Sequence, residues 1–160
     1  MVVSSLYPLV SFYFSVNVSG AGGVDSAFLE ASGFSAEREI QEVVEGGENR
    51  YVHRLPTKMK HGNLVLKRGF VSRATALFSW CKSTMESDLG KAIGPRDIKV
   101  SLLDVKDNPM VTWDFFRAWP VKMDVSNFNA RESEIAVETL EFSYAYLERG
   151  FVGGNAGQGA

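Results

Sequence analysis

Residues 134–147 read Glu-Ile-Ala-Val-Glu-Thr-Leu-Glu-Phe-Ser-Tyr-Ala-Tyr-Leu, and the conformation of this stretch decides the fold class. Its glutamates and leucines favour helix, whereas Ile135, Val137, Thr139, Phe142, Tyr144 and Tyr146 favour strand. Leu140, Phe142, Tyr144 and Tyr146 recur at every second position. That period is the mark of a strand with one buried face, so a strand is predicted. Glu138 falls on the same face as the apolar residues, and a bulge or a change of environment is expected beside it.

The same alternation recurs through the chain. Phe12, Phe14, Val16 and Val18 share a face, as do Leu64, Leu66 and Phe70, and Ile98, Val100 and Leu102. Segments 27–32 and 37–45 read as further strands around a turn at Gly33, with Ile40 and Val44 opposite a polar face of Glu37, Glu39, Gln41 and Glu45. Lys106-Asp107-Asn108-Pro109 predicts a hairpin turn, followed by a strand through Val111, Trp113 and Phe115. One helix is predicted, over about Arg73 to Leu89. Ala74, Leu77, Phe78, Cys81, Met85 and Leu89 fall at helical spacing, with Ser72 as the cap and Gly90 after the end. Many antiparallel strands and one helix give an α+β class, mainly antiparallel β: a small β-barrel or sandwich with one flanking helix.

The bulk composition excludes several classes. The chain has 160 residues, 45% apolar and 22% charged, with a formal net charge of -2. This suits one domain over residues 1–149, with its core at about 12–147 and a flexible glycine-rich tail at 150–160. The slightly acidic balance disfavours a general nucleic-acid binder. No apolar run approaches the ~20 residues of a membrane-spanning helix, and residues 1–10 lack the basic and long apolar regions of a signal peptide. The single cysteine, Cys81, excludes an internal disulfide. With only His53, His61 and Cys81 as soft ligands, no metal site is expected.

The charge is sorted along the chain. Asp25, Glu30, Glu37, Glu39, Glu42, Glu45 and Glu48 are opposed only by Arg38, whereas Arg50, Arg54, Lys58, Lys60, Lys67 and Arg68 follow with no acid among them. Residues 50–61 read as a long basic loop, and such loops are usually functional or disordered. Tyr51 and His53 within it would allow phosphate binding, but the acidic balance elsewhere favours a protein partner.

No catalytic residue emerges. Cys81 with His53 or His61 could form a nucleophile and base, but Cys81 sits on the apolar helix face, where cysteines are inert core residues. Glu134 with Glu138, or Glu138 with Glu141, could act as acid and base, yet solvated strands carry such pairs without a pocket. The glycines at 20–23 and 46–47 lack the following Lys-Ser/Thr of a phosphate-binding loop. No cofactor is implied.

Taken in order, the landmarks resemble the tail tube (inner tube) proteins of contractile phages and phage-like contractile injection systems. They are Phe12 to Val18, Glu30-Ala31-Ser32-Gly33-Phe34, Glu45-Gly46-Gly47-Glu48-Asn49, Leu55-Pro56 and Leu64-Val65-Leu66-Lys67-Arg68-Gly69. The helix follows with Leu77, Phe78 and Trp80, then Ile98 to Asp104, Trp113, Ala118-Trp119-Pro120-Val121-Lys122, Phe128-Asn129-Ala130, and residues 134–141. The resemblance implies a structural protein without catalysis, forming hexameric rings that stack into a hollow tube with a continuous inner sheet. A contracting sheath drives that tube through a target membrane. The implied partners are the protein itself, the sheath, baseplate or spike, tube-terminating proteins and cargo protein or DNA in the lumen, all within an assembled particle and without a membrane anchor.

Closing strands from several copies into one barrel removes open edges, and head-to-tail stacking needs two different surfaces. Arg50, Arg54, Lys58, Lys60, Glu45 and Glu48 are the expected contact residues between copies. Glu37, Glu39, Gln41, Thr139, Glu141 and Ser143 are the expected lumen residues. The alternative reading is a ring-forming secreted adaptor or cargo carrier related to tube proteins. An enzyme would require a pocket converging on Cys81 or the carboxylates.

Overall fold

The computed structural model describes residues 13–47, 50–69, 75–87, 90–126, 131 and 136–152, and within them ten strands and one helix. The strands are β1 (Tyr13–Val18), β2 (Val24–Phe28), β3 (Glu30–Ser32), β4 (Ala36–Val43), β5 (His53–His61), β6 (Leu64–Gly69), β7 (Arg96–Leu103), β8 (Pro109–Val125), β9 (Val137–Ser143) and β10 (Tyr146–Phe151). The helix, α1, spans Ala76–Met85.

The strands pair in the order β2-β1-β7-β8-β9-β6-β3, all antiparallel, with β10 also on β8, whereas β4 and β5 pair only with each other. The long β8 carries the architecture. Its residues 109–118 pair with β7, and Trp119 to Val125 pair with β9. It therefore belongs to two sheets: sheet I holds β2, β1, β7, the first half of β8 and β10, and sheet II holds the second half of β8, β9, β6 and β3. At the corner Arg117 takes a φ of 53°, and its N–H donates to Asp97 Oδ1 at 3.0 Å. The register shifts there between Arg96 and Ile98, a bulge that turns the strand from one sheet to the other.

Of the expected barrel or sandwich, the closed barrel is not formed: the terminal strands β2 and β3 do not pair with each other. They are instead consecutive in the chain. The strand expected over 27–32 is broken at Leu29, whose N–H donates to Lys67 O at 3.0 Å. One half serves sheet I and the other sheet II. The strand expected over 134–147 breaks likewise at Tyr144 and Ala145, and Ala145 N–H reaches Phe116 O at 2.9 Å. Leu140, Phe142 and Tyr144 are buried as alternation predicts, but Tyr146 beyond the break is exposed. Gly150 and Phe151, expected in the tail, end β10. Residues 153–160 lie outside the described residues.

The core lies between the sheets and under α1. Phe28, Phe115, Phe142, Leu64, Leu66, Ile98 and Leu140 are fully enclosed, and each such side chain stabilises the fold by about 1.5–3 kcal/mol. Trp80 of α1 stacks on Phe142, with centroids 5.9 Å apart and planes 8° from parallel. The helix is shorter than expected, and its buried face is Leu77, Trp80 and Cys81, with Met85 half out in solvent. Thr75 is the cap, accepting from Phe78 N–H at 3.2 Å; Ser72 and Leu89 lie outside the described residues. Thr75→Ala is expected to cost about 1 kcal/mol in a urea titration.

The hairpin turn between β7 and β8 forms as predicted. Asp104 Oδ1 accepts from Asn108 N at 2.9 Å and Lys106 N at 2.8 Å. The Asn108 bond leads in holding the Asp104 carboxyl below the usual range. The turn is therefore weakened as pH falls through that lowered value.

Glu138 corrects the expectation for solvated strand acids. It is buried, and Arg68 Nε donates to its Oε2 at 2.6 Å, with both side chains under 5% exposed. Arg68 Nη2 also reaches Thr75 Oγ1 at 3.4 Å, and the guanidinium lies 4.9 Å from the centre of the Phe28 ring. One buried cation thus links sheet II, the helix cap and the end of β2.

Candidate functional site

Ser32 opposes Val65 in the β3–β6 pair, and Ala36 opposes His61 in the β4–β5 pair, which is the same register. The β4–β5 hairpin therefore prolongs the β3–β6 ribbon beyond sheet II as an arm. The segment expected to be a basic loop is in fact β5 from His53 onward, because its backbone finds β4 as a partner. At the junction Gly33 has a φ of 96°, and a Cβ there would lie 1.8 Å from Asn63 O. Only glycine permits that approach. Phe34 then turns into the core, 4.7 Å from Trp113 and 5.6 Å from Phe115 between ring centres.

Two side chains hold the arm's root. Tyr144 hydroxyl donates to Gly33 O at 2.9 Å, and burial pushes its pKa up, which keeps it a donor. The His61 ring stacks on Tyr144 at 4.4 Å, and its Nε2 lies 2.9 Å from Ala145 O. A carbonyl can only accept, so the proton resides on Nε2.

The sorted charges meet within the arm. Arg54 pairs with Glu42 at 3.3 Å, Lys60 pairs with Glu39, and His53 lies 3.6 Å from Glu45. Arg50 is exposed beyond the β5 end of the arm, Lys58 is exposed on β5, and Glu48 lies outside the described residues. The middle parts of the two charge runs are thus the two strands of one hairpin. These exposed pairs contribute little to stability; their role is to fix which residues face each other.

Both faces of β4 see solvent, the side of Ile40 as well as the polar one. Ile40 is 60% exposed, Leu55 51% and Met59 50%, with Val44, Tyr51 and Val52 also out in water. Arg38 opposes Met59, Ile40 opposes Pro56 and Glu42 opposes Arg54 across a bulge in β5, where Thr57 and Lys58 face Glu39, so Ile40, Pro56 and Met59 lie side by side on a face they share with Arg38, Glu42 and Arg54. A lone two-stranded hairpin is marginal in water. This one also carries apolar surface that stays exposed among the described residues.

The expected lumen residues fall in two places. Glu37, Glu39 and Gln41 are on the arm, whereas Thr139, Glu141 and Ser143 are on the side of β9 away from the core. Around the latter, the register aligns Glu30, Lys67, Thr139 and Asp124 in one row, and Ser32, Val65, Glu141 and Lys122 in the next. Lys67 bonds Glu30 at 3.0 Å, and Asn63 donates to Glu141 at 2.7 Å. Sequence reading missed Glu30, Asn63, Lys67, Lys122 and Asp124. Alternation marked Lys67 in β6 and Lys122 and Asp124 in β8 as outward, but only register shows that they form one polar surface with Glu30.

Sheet II has two open edges among the described residues: β3 pairs only with β6, and the second half of β8 only with β9. With four antiparallel strands, those edges run in opposite directions. Among the described residues no chemistry converges elsewhere. Cys81 is fully buried, His53 and His61 are engaged on the arm, and no metal-binding cluster occurs among the described residues.

The profile of the family described as T4-like virus tail tube protein gp19 matches residues 10–148. The chain belongs to that family. It is a tail tube protein, the structural class expected from the sequence landmarks. No curated protein sequence matches it. Its fold is similar to a chain in the cryo-EM structure of the anti-feeding prophage (AFP) baseplate, with a TM-score of 0.73, 25% identity, and coverage of 92% of this chain and 98% of that one. A chain of the extended PVC sheath-tube complex, an extracellular contractile injection system, gives 0.74 at 23% identity, covering 92% and 94%. Hcp1 from Salmonella typhimurium gives 0.54 at 14% identity, covering 89% and 88%.

Proposed function

We propose that this tail tube protein forms hexameric rings in which sheet II of each copy joins the next into one closed barrel, and that the rings stack into a hollow tube. The observation that carries this reading is the pair of open edges on sheet II. The β3 edge and the second half of β8 run antiparallel, so laying one against the other between neighbouring copies continues the sheet without a break in direction. Closure removes edges that would otherwise template aggregation. The outward side of sheet II, with Thr139, Glu141 and Ser143 beside Lys67, Lys122 and Asp124, then faces the lumen. Its mixed polar surface lets a protein or DNA cargo slide without sticking.

The arm, carrying Arg50, Arg54, Lys58, Lys60 and Glu45, meets a neighbouring copy. Sheath, baseplate and tube-terminating cap are the further partners, a reading supported by the AFP baseplate and cap and the PVC sheath-tube structures. The subunit works by assembly inside a tail or injection particle and has no catalytic step of its own. Electron microscopy and native mass spectrometry of the purified chain test this. Hexameric rings and tubes are the expected result; monomers at every concentration would overturn it.

A further inference from the structure

We propose that the groove at the Leu29 end of sheet II holds protein cargo, taking a large apolar side chain of a polypeptide that carries a basic residue beside it. The inference rests on the tube reading, which puts this face in the lumen, and it names the class of cargo that the wall retains.

Leu29 breaks the strand between β2 and β3, and its N–H donates to Lys67 O at 3.0 Å. Its side chain is 76% exposed, and Val137 on β9 is 39% exposed. Together with Gly69 and Thr139 they line a groove of about 500 Å³, beside Glu30 and Lys67. Gly69 opposes Val137 in the β6–β9 pair, and with no side chain it leaves the space next to Val137 open. The rest of the outward face is mainly polar, with Ser32, Glu141 and Lys122 in one row and Ser143 beyond. An apolar groove set in a polar face is the usual form of a site for an apolar group.

Charge selects the partner. Lys67 is bonded to Glu30 at 3.0 Å, and Lys122 stands opposite Glu141. Asp124 lies directly across from the groove residue Thr139 and has no ion pair among the described residues. Glu30, Glu141 and Asp124 therefore outnumber Lys67 and Lys122 on this face. DNA is held by cations in excess on its phosphates, and a duplex keeps its apolar surface stacked inside. This wall offers the reverse of what DNA needs. A polypeptide supplies both halves of the match: an aliphatic or aromatic side chain for the groove, and a lysine or arginine for Asp124.

Fluorescence anisotropy tests the site, with labelled peptides built around Lys-Leu-Lys and Lys-Ser-Lys and a labelled short DNA duplex as probes. Each is titrated with assembled material and with the dissolved chain. The leucine peptide is expected to bind about tenfold more tightly than the serine peptide, the usual scale for burying one such side chain. Leu29→Ser is expected to remove that preference; the position is exposed, so the fold is kept, and circular dichroism checks it. Asp124→Asn is expected to weaken both peptides at low salt and to leave the preference for leucine in place. Equal binding of the two peptides would overturn the proposal. Tighter binding of the duplex would assign the wall to nucleic acid and overturn it too. Binding to the dissolved chain but not to assembled material would show that a neighbouring copy fills the groove, which also overturns it. All three results leave the tube reading standing where electron microscopy shows rings. If no rings form, the tube reading fails, and without a lumen the cargo role fails with it, whatever the peptides do.

Discussion

Glu138→Ala is expected to destabilise the subunit by about 3–5 kcal/mol, the usual consequence of removing one partner of a buried ion pair. The carboxylate sits 2.6 Å from Arg68 Nε, and neither side chain reaches solvent. Alanine would remove the carboxylate bonded to that guanidinium, in a region walled by Phe28 and the start of α1. Removing both charges together, as Arg68→Met with Glu138→Leu, is expected to recover most of the loss, because desolvating two ions offsets much of their attraction. Urea titration of the wild type, the single variant and the double variant separates the cases. A single variant within 1 kcal/mol of the wild type would show that the pair contributes little to folding.

The second large effect is expected at Gly33→Ala. A positive φ by itself costs a non-glycine residue about 1–3 kcal/mol. Here the new methyl would also meet Asn63 O at 1.8 Å, its carbonyl carbon at 2.7 Å and Leu64 Cα at 3.1 Å. All three are backbone atoms, so no side-chain rotation relieves the clash and the ribbon must open where the arm begins. Hydrogen exchange is expected to accelerate across β4 and β5, the midpoint of unfolding to fall, and ring stacking to fail with the arm out of place. Gly150→Ala provides the contrast. Its methyl would lie 2.9 Å from Thr112 Oγ1, a side-chain atom free to move, so a smaller loss is expected. Equal midpoints for Gly33→Ala and wild type would exclude the close approach at the arm's root.

Much of sheet II was legible residue by residue. Leu64 and Leu66 in β6, and Leu140, Phe142 and Tyr144 in β9 and beyond, are buried as their alternation requires. The anomaly of Glu138 on the core face was also visible, and its explanation is Arg68, seventy residues away in sequence. The arm was misread for a related reason. Residues 53–61 carry Pro56, three cations and little alternation, which reads as loop, yet β4 supplies the partner that makes them a strand. The helix cap moved from Ser72 to Thr75 because Arg68 and Phe78 N–H both reach that hydroxyl. The assembly surfaces were legible as charge and polarity but not as places. Thr139 and Glu141 point outward by alternation, while their neighbours across the sheet follow from register alone.

By itself, then, the order of residues determined which faces of most strands are apolar, where the β7–β8 hairpin turns, that one helix is present, and which family the chain belongs to. Those properties are periodic or local, set by backbone geometry over a few residues. Only the tertiary structure decided that β8 serves two sheets, and that Glu39, Glu42 and Glu45 meet Lys60, Arg54 and His53 across one arm. Each of these depends on pairing register between distant strands. A slip of one residue would turn every side chain to the other face, and the contacts that prevent the slip form only once the chain has folded.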